Sequence, residues 1–169
     1  EAARLDRLLG NLFEEEQIFR IDHYLAKETM QNIISFRFSN GLFEPLWNRK
    51  HIEKVEIKFL EKSDTSARGS FYDGVGALRD VGQNHILQML ALIAMENPCS
   101  MDATKIREAR RKILEKVSVG GRDLHSFIVR GQYEGYQNES GVRQNSNTET
   151  YFRIIAKVEN NRWKGVPFI

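Results

Sequence analysis

Up to about residue 118 the apolar residues recur mostly at helical spacing, and after about residue 125 they mostly alternate. This change of period constrains the fold most, because helices gathered early and strands gathered late do not build interleaved parallel βαβ units. The expected architecture is α+β, a largely antiparallel β-sheet with helices packed on one face. With 169 residues, one domain with its own core is the default.

The helical part reads as four segments. Residues about 3–16 carry Leu5, Leu8, Leu9 and Phe13 ahead of the acidic cluster Glu14 to Glu16. A second helix is predicted from Asp22 to about Ser39, with Ala26, Met30, Ile33, Ile34 and Arg37 on one stripe and Asn40-Gly41 as its stop. A long helix from about Gly76 to Glu96 follows the loop "DTSARGS", and Pro98 ends it. The last has Asp102 as cap and Ile106, Ala109, Ile113 and Val117 at helical spacing. "EKVEIKFLEK" alternates as a half-buried strand with Val55, Ile57 and Phe59 or Leu60 on one face. Two later β segments flank "QNESGVRQNSN", a polar loop expected to be mobile.

A net charge of +2 is close to balance and does not point to nucleic acid or an anionic membrane as a partner. The one cysteine, Cys99, has no internal disulfide partner, which favours a reducing, cytoplasmic setting. The start "EAARLDRLLG" and the end "WKGVPFI" read as parts of a longer polypeptide.

Two clusters carry candidate chemistry. In "FRIDHYLAKE", a helix beginning near Asp22 would put His23, Tyr24 and Lys27 on one face, beside the free N–H groups of a first turn. That arrangement suits a phosphate ester, and a solvated surface fits the same spacing. In "LRDVGQNHILQML", Asp80 and His85 are five apart, about 140° around an α-helix, with Gln83 and Asn84 between them. His85 falls on the stripe of Leu78, Val81 and Met89, where a satisfied core histidine competes with a catalytic one. No glycine-rich nucleotide turn and no metal-ligand spacing occurs. The basic helix of Lys105, Arg107, Arg110, Arg111, Lys112 and Lys116 is interrupted by Glu108 and Glu115 and reads as a solvated face.

Taken in order, "RIDHYLAKE", "PLWNR", "GALRDVGQNHILQML", "AMENP", the Ser-Asn-Thr-Glu-Thr run and "RWKGVPF" resemble the glucose-6-phosphate dehydrogenase family. Its signature segment reads R-I-D-H-Y-L-G-K-E, and the resemblance runs from Glu14 to Ile169. It implies that His23, Tyr24 and Lys27 hold the phosphate of glucose 6-phosphate. It also implies that His85 is the general base, Asp22 its acidic partner, and Glu61 and Asp80 contacts to the sugar hydroxyls. The implied reaction is NADP-dependent oxidation to 6-phosphogluconolactone, the first step of the pentose phosphate pathway.

Ala26 replaces the signature glycine, a change that helix propensity tolerates. The family's dinucleotide-binding domain and the R-x-G-K segment after "GVPF" are not matched. Residues 1–169 therefore read as a partial C-terminal domain, inactive alone, with NADP bound mainly elsewhere. Homo-oligomerisation through the sheet is the implied assembly, and a non-catalytic oligomerisation module is the alternative reading.

Overall fold

The computed structural model describes residues 2–39, 41–65, 68–121 and 123–169. Helix α1, Ala2–Gly10, ends six residues before the predicted end at 16. Gly10 and Asn11 are poor helix formers, and Glu14 to Glu16 at a helix C-terminus would oppose the macrodipole. The acids instead open a separate 3₁₀ turn, Glu15–Gln17, in which Gln17 Oε1 accepts from Glu14 N at 2.9 Å.

Helix α2, Glu28–Phe38, starts six residues later than expected. Asp22 causes the delay: its Oδ1 accepts from the N–H groups of Tyr24 at 3.0 Å and Leu25 at 3.2 Å, closing a turn ahead of the helix. Lys27, extended at ψ 133°, then forms the boundary. Asn40, half of the predicted stop, lies outside the described residues. So do Ser66 and Ala67 of the predicted loop, whose last residues enter the short helix α3, Gly69–Tyr72.

The long helix predicted from Gly76 to Glu96 is two elements, a π-helix over Leu78–Ile86 and helix α4 over Leu87–Ala94. α4 stops before Pro98 because its last carbonyls are taken from outside. The Arg37 guanidinium donates to Leu92 O at 2.9 Å, Ile93 O at 2.8 Å and Met95 O at 2.8 Å. Trp47 Nε1 donates to Ile93 O at 2.7 Å and Trp163 Nε1 to Ala94 O at 2.8 Å. Buried helix ends need such partners. Leu90, Leu92, Met95, Ile113, Val158, Trp163, Val166 and Phe168 form the main core around them.

Helix α5, Ala103–Leu114, begins as expected on Asp102, whose Oδ1 accepts from Thr104 N at 2.9 Å. Strand β1, Val117–Val119, pairs antiparallel with β4, Ala156–Val158, and β2, Ile128–Gly131, pairs antiparallel with β3, Tyr151–Ile154. Val117, placed on the α5 stripe from sequence, opens β1 instead. The segment around Val55 pairs by single bonds: Val55 N donates to Pro167 O at 3.0 Å and Ile57 N to Ile169 O at 2.8 Å. Val55, Ile57 and Phe59 are half-buried and Leu60 is 83% exposed, but the expected strand is reduced to an isolated bridge between Val55 and Phe168.

The loop expected to be mobile is tethered by Asp73, a buried carboxylate. Asp73 accepts from Tyr136 OH at 3.1 Å, from Arg143 Nε at 2.6 Å and from Ser146 Oγ, while its carbonyl accepts from Thr148 Oγ1 at 2.5 Å. No helix of the described residues is long and apolar enough to cross a membrane.

Candidate active site

Three segments meet at the start of α2: the turn closed by Asp22, the extended residues through Phe59 to Glu61, and the π-helix. His85 Nδ1 lies 2.8 Å from Asp22 Oδ1, with the two side chains 14% and 17% exposed. With the Nδ1 proton held by the carboxylate, the imidazole keeps the Nε2 lone pair free to accept another. The Tyr24 ring packs on His85 at 4.4 Å between centroids and on Phe59 at 5.1 Å. His23 sits 4.6 Å from Tyr24 and 4.7 Å from His85, and Lys27 Nζ is 4.1 Å from the Tyr24 ring centre.

Residues 22 to 27 form a turn instead of the predicted helical face, yet His23, Tyr24 and Lys27 still gather. Ring contacts and the Asp22 turn bring them together in place of i,i+4 spacing. Lys27 sits directly at the α2 start, while His23 and Tyr24 precede it. Ala26, at the signature's glycine position, is exposed, so its methyl group meets no crowded core.

Burial pushes the Tyr24 hydroxyl pKa up first, and the charges of Glu61, Asp22 and Asp80 push it further. Three carboxylates therefore lie near enough to act on one phenol. Burial raises the Asp22 carboxyl as its largest single influence, but His85 and the Leu25 and Tyr24 N–H groups together hold it below the usual aspartate range. Asp80 pairs with Arg68 at 3.6 Å, and Glu61 is exposed at the rim.

Arg68 was not among the residues singled out from sequence, and neither was the role of Arg110. Grouped with a solvated basic face, Arg110 is half-buried, donates to Gln88 Oε1 and has a buried Nε with no hydrogen-bond partner. Burial lowers its pKa and the nearby Asp22 charge opposes that. Its position four after Ile106 and three before Ile113, on the inward stripe, was the available signal. Arg111 and Lys112 do face solvent, paired with Glu108.

Two cavities, of about 480 Å³ beside Arg79, Arg130 and Arg143 and about 520 Å³ beside Phe36, Trp47 and Ile52, contain no member of this cluster. The chemistry of the cluster marks it. It offers a proton acceptor oriented by a carboxylate, a cationic end formed by Lys27, and carboxylates able to accept from hydroxyls.

The family model described as glucose-6-phosphate dehydrogenase, C-terminal domain, matches residues 34–169, and the one described as its NAD binding domain matches residues 1–32. The boundary between them falls inside α2, separating Asp22 from His85. The chain is 47% identical over 168 residues to the cytoplasmic glucose-6-phosphate 1-dehydrogenase 6 of Arabidopsis thaliana, covering 99% of this chain and 32% of that protein. It is 44% identical over 178 residues to glucose-6-phosphate 1-dehydrogenase of Borreliella burgdorferi, covering 99% and 37%. The chain thus spans about a third of the length of these curated relatives.

Among solved structures, glucose-6-phosphate 1-dehydrogenase from Mycobacterium avium matches with a TM-score of 0.89 at 38% identity, over 99% of this chain and 37% of that one. A glucose-6-phosphate dehydrogenase in complex with its substrate glucose-6-phosphate matches with a TM-score of 0.90 at 38% identity, over 99% and 36%.

Proposed function

Because this chain belongs to the glucose-6-phosphate dehydrogenase family, we propose that it supplies the sugar-phosphate side of that enzyme's active site, with His85 as general base. The observation that carries the reading is the 2.8 Å contact between His85 Nδ1 and Asp22 Oδ1. It leaves Nε2 to take the proton of the sugar's C1 hydroxyl as the C1 hydride departs and the lactone carbonyl forms. Asp22 stabilises the imidazolium that results. A base of this kind is worth about 10²–10⁴ in rate, or roughly 3–5 kcal/mol of barrier.

In this reading His23, Tyr24 and Lys27 hold the 6-phosphate, and Glu61 and Asp80 accept hydrogen bonds from the ring hydroxyls. When bound, NADP supplies the nicotinamide that accepts the hydride. This chain has no glycine-rich phosphate turn, so its own residues act on the sugar and the proton alone. The 169 residues serve as a partial substrate-binding unit, helical to about 118 and mainly β after about 125, inactive by themselves and cytoplasmic. The whole protein assembles as a homo-oligomer through its sheet. A pure oligomerisation module has no need of a half-buried His–Asp pair, which argues against the alternative.

The test is His85→Asn in the full-length protein. Turnover should fall by about 10²-fold or more, with calorimetric affinity for glucose 6-phosphate unchanged; undiminished turnover removes His85 as the base.

A further inference from the structure

Asp80 and His85 would diverge on an α-helix, but Leu78–Ile86 is a π-helix, whose i→i+5 bonds bring residues five apart round to nearly one side. A wide turn of this kind is rare and needs support from its surroundings. Part of that support is internal: Asn84 Nδ2 donates to Asp80 O at 2.8 Å while its Oδ1 accepts from His85 N at 2.6 Å.

The rest comes from residues 149 to 152. Glu149 Oε1 accepts from Leu78 N at 3.1 Å, and Glu149 O accepts from Ala77 N at 3.0 Å, so one residue caps the first turn twice. Gly76, at φ +79°, makes room for it: a Cβ there would lie 2.6 Å from Glu149 Oε1. Farther along, a Cβ on Gly82 would lie 2.7 Å from Phe152 Cζ, so β3 presses on the middle of the π-helix. Thr148, next to Glu149, is fixed by its bond to Asp73 O at 2.5 Å.

We propose that Glu149 is a positioning residue for the reaction: by capping Leu78 it holds the π-helix in the register that turns Asp80 and His85 toward one site. This deepens the reading of His85 as base and rests on it. Glu149 acts through the helix start and is no part of the sugar-binding set. The hydrogen-bond acceptor, not the charge, is the operative feature, so an amide at this position serves as well.

The experiment compares Glu149→Ala and Glu149→Gln in the full-length protein. Glu149→Ala should lose about 10²-fold in kcat, the scale of a misplacement of about 1 Å, with a smaller change in KM because Lys27 and His23 lie on another segment. Glu149→Gln should stay within about threefold of the native rate, since its amide oxygen can accept the same bond. In proton NMR spectra, the downfield resonance of the His85–Asp22 bond should persist in Glu149→Gln and be lost or shifted in Glu149→Ala.

Near-native turnover with an unshifted resonance in Glu149→Ala overturns the proposal, and so does Glu149→Gln as impaired as Glu149→Ala. If the alanine protein does not fold, Glu149→Asp keeps the charge and withdraws the acceptor by one methylene. It should then lose about tenfold where Glu149→Gln does not, and the reverse order overturns the proposal. His85→Asn, run alongside, separates the two claims. An active His85→Asn removes the base, whereas an inactive His85→Asn beside a native-like Glu149→Ala removes only the role of Glu149.

Discussion

Asp22 does two tasks with one oxygen: its Oδ1 closes the turn before α2 and also meets His85 Nδ1. The two tasks separate on mutation. Asp22→Asn keeps an acceptor for the turn but no longer stabilises an imidazolium, so in the full-length protein kcat should fall by about 10²–10⁴ with the melting temperature little changed. Steady-state kinetics beside a thermal melt checks this. Because the Asp22 carboxyl is held below the usual aspartate range, it stays ionised through neutral and mildly acidic pH. Its contribution to stability is present above 3.8 and lost only as pH falls through its lower folded value. Lys27→Ala should act differently, raising KM for glucose 6-phosphate by about 10–100-fold with kcat nearly kept, as expected for one charge-assisted bond. An unaltered KM would count against a phosphate site at the α2 start.

The elements are joined by two polar hubs that the hydrophobic pattern does not announce. At the first, Arg37 is fully buried, and beyond the α4 carbonyls it pairs with Glu44 at 3.0 Å, which in turn meets Arg162 at 2.9 Å. Arg37→Met would leave carbonyls of Leu92 and Met95 without these donors, and should destabilise the fold by roughly 3–5 kcal/mol. A denaturant midpoint close to native would refute that. At the second hub, Ser146, Arg143 and Tyr136 hold the Asp73 carboxyl far below its ordinary value. A depressed carboxylate contributes stability above its unfolded value of 3.8, and loses it as pH falls further toward the folded value. The native protein should therefore lose melting temperature steeply below about pH 4, and Asp73→Asn should start lower and show a shallower acid loss. The polar loop is ordered by this hub although its composition resembles that of a mobile connection.

At the scale of the molecule, several large apolar side chains stand in water. Phe19 is 84% exposed, Ile21 90% and Leu60 83%. Surfaces of this kind promote association in an isolated chain. The 169-residue chain by itself should bind an apolar dye and sediment with a concentration-dependent mass. Ile21→Lys should reduce both, and a dilute, dye-silent monomer would contradict the expectation. The same chain should give no glucose 6-phosphate-dependent reduction of NADP, since it lacks a dinucleotide phosphate turn.

The sequence alone determined the α+β class, the Asp102 cap, the two later β segments and, through the order of its motifs, the family and the residues worth testing. The segment around Val55 forms an isolated bridge and no strand. The features determined are legible because periodicity and capping are local: they depend on neighbours three or four positions away. What only the tertiary structure decided lies at long range. Asp22 meets His85 across 63 residues, Arg37 reaches the α4 carbonyls across 55 to 58, and Glu149 caps Leu78 across 71. The π-helix at Asp80 has such a partner in Glu149, whereas the turn at Asp22 is closed locally by its own Oδ1. A buried polar group takes whatever hydrogen-bond partner the fold brings to it, and that demand can outweigh local propensity.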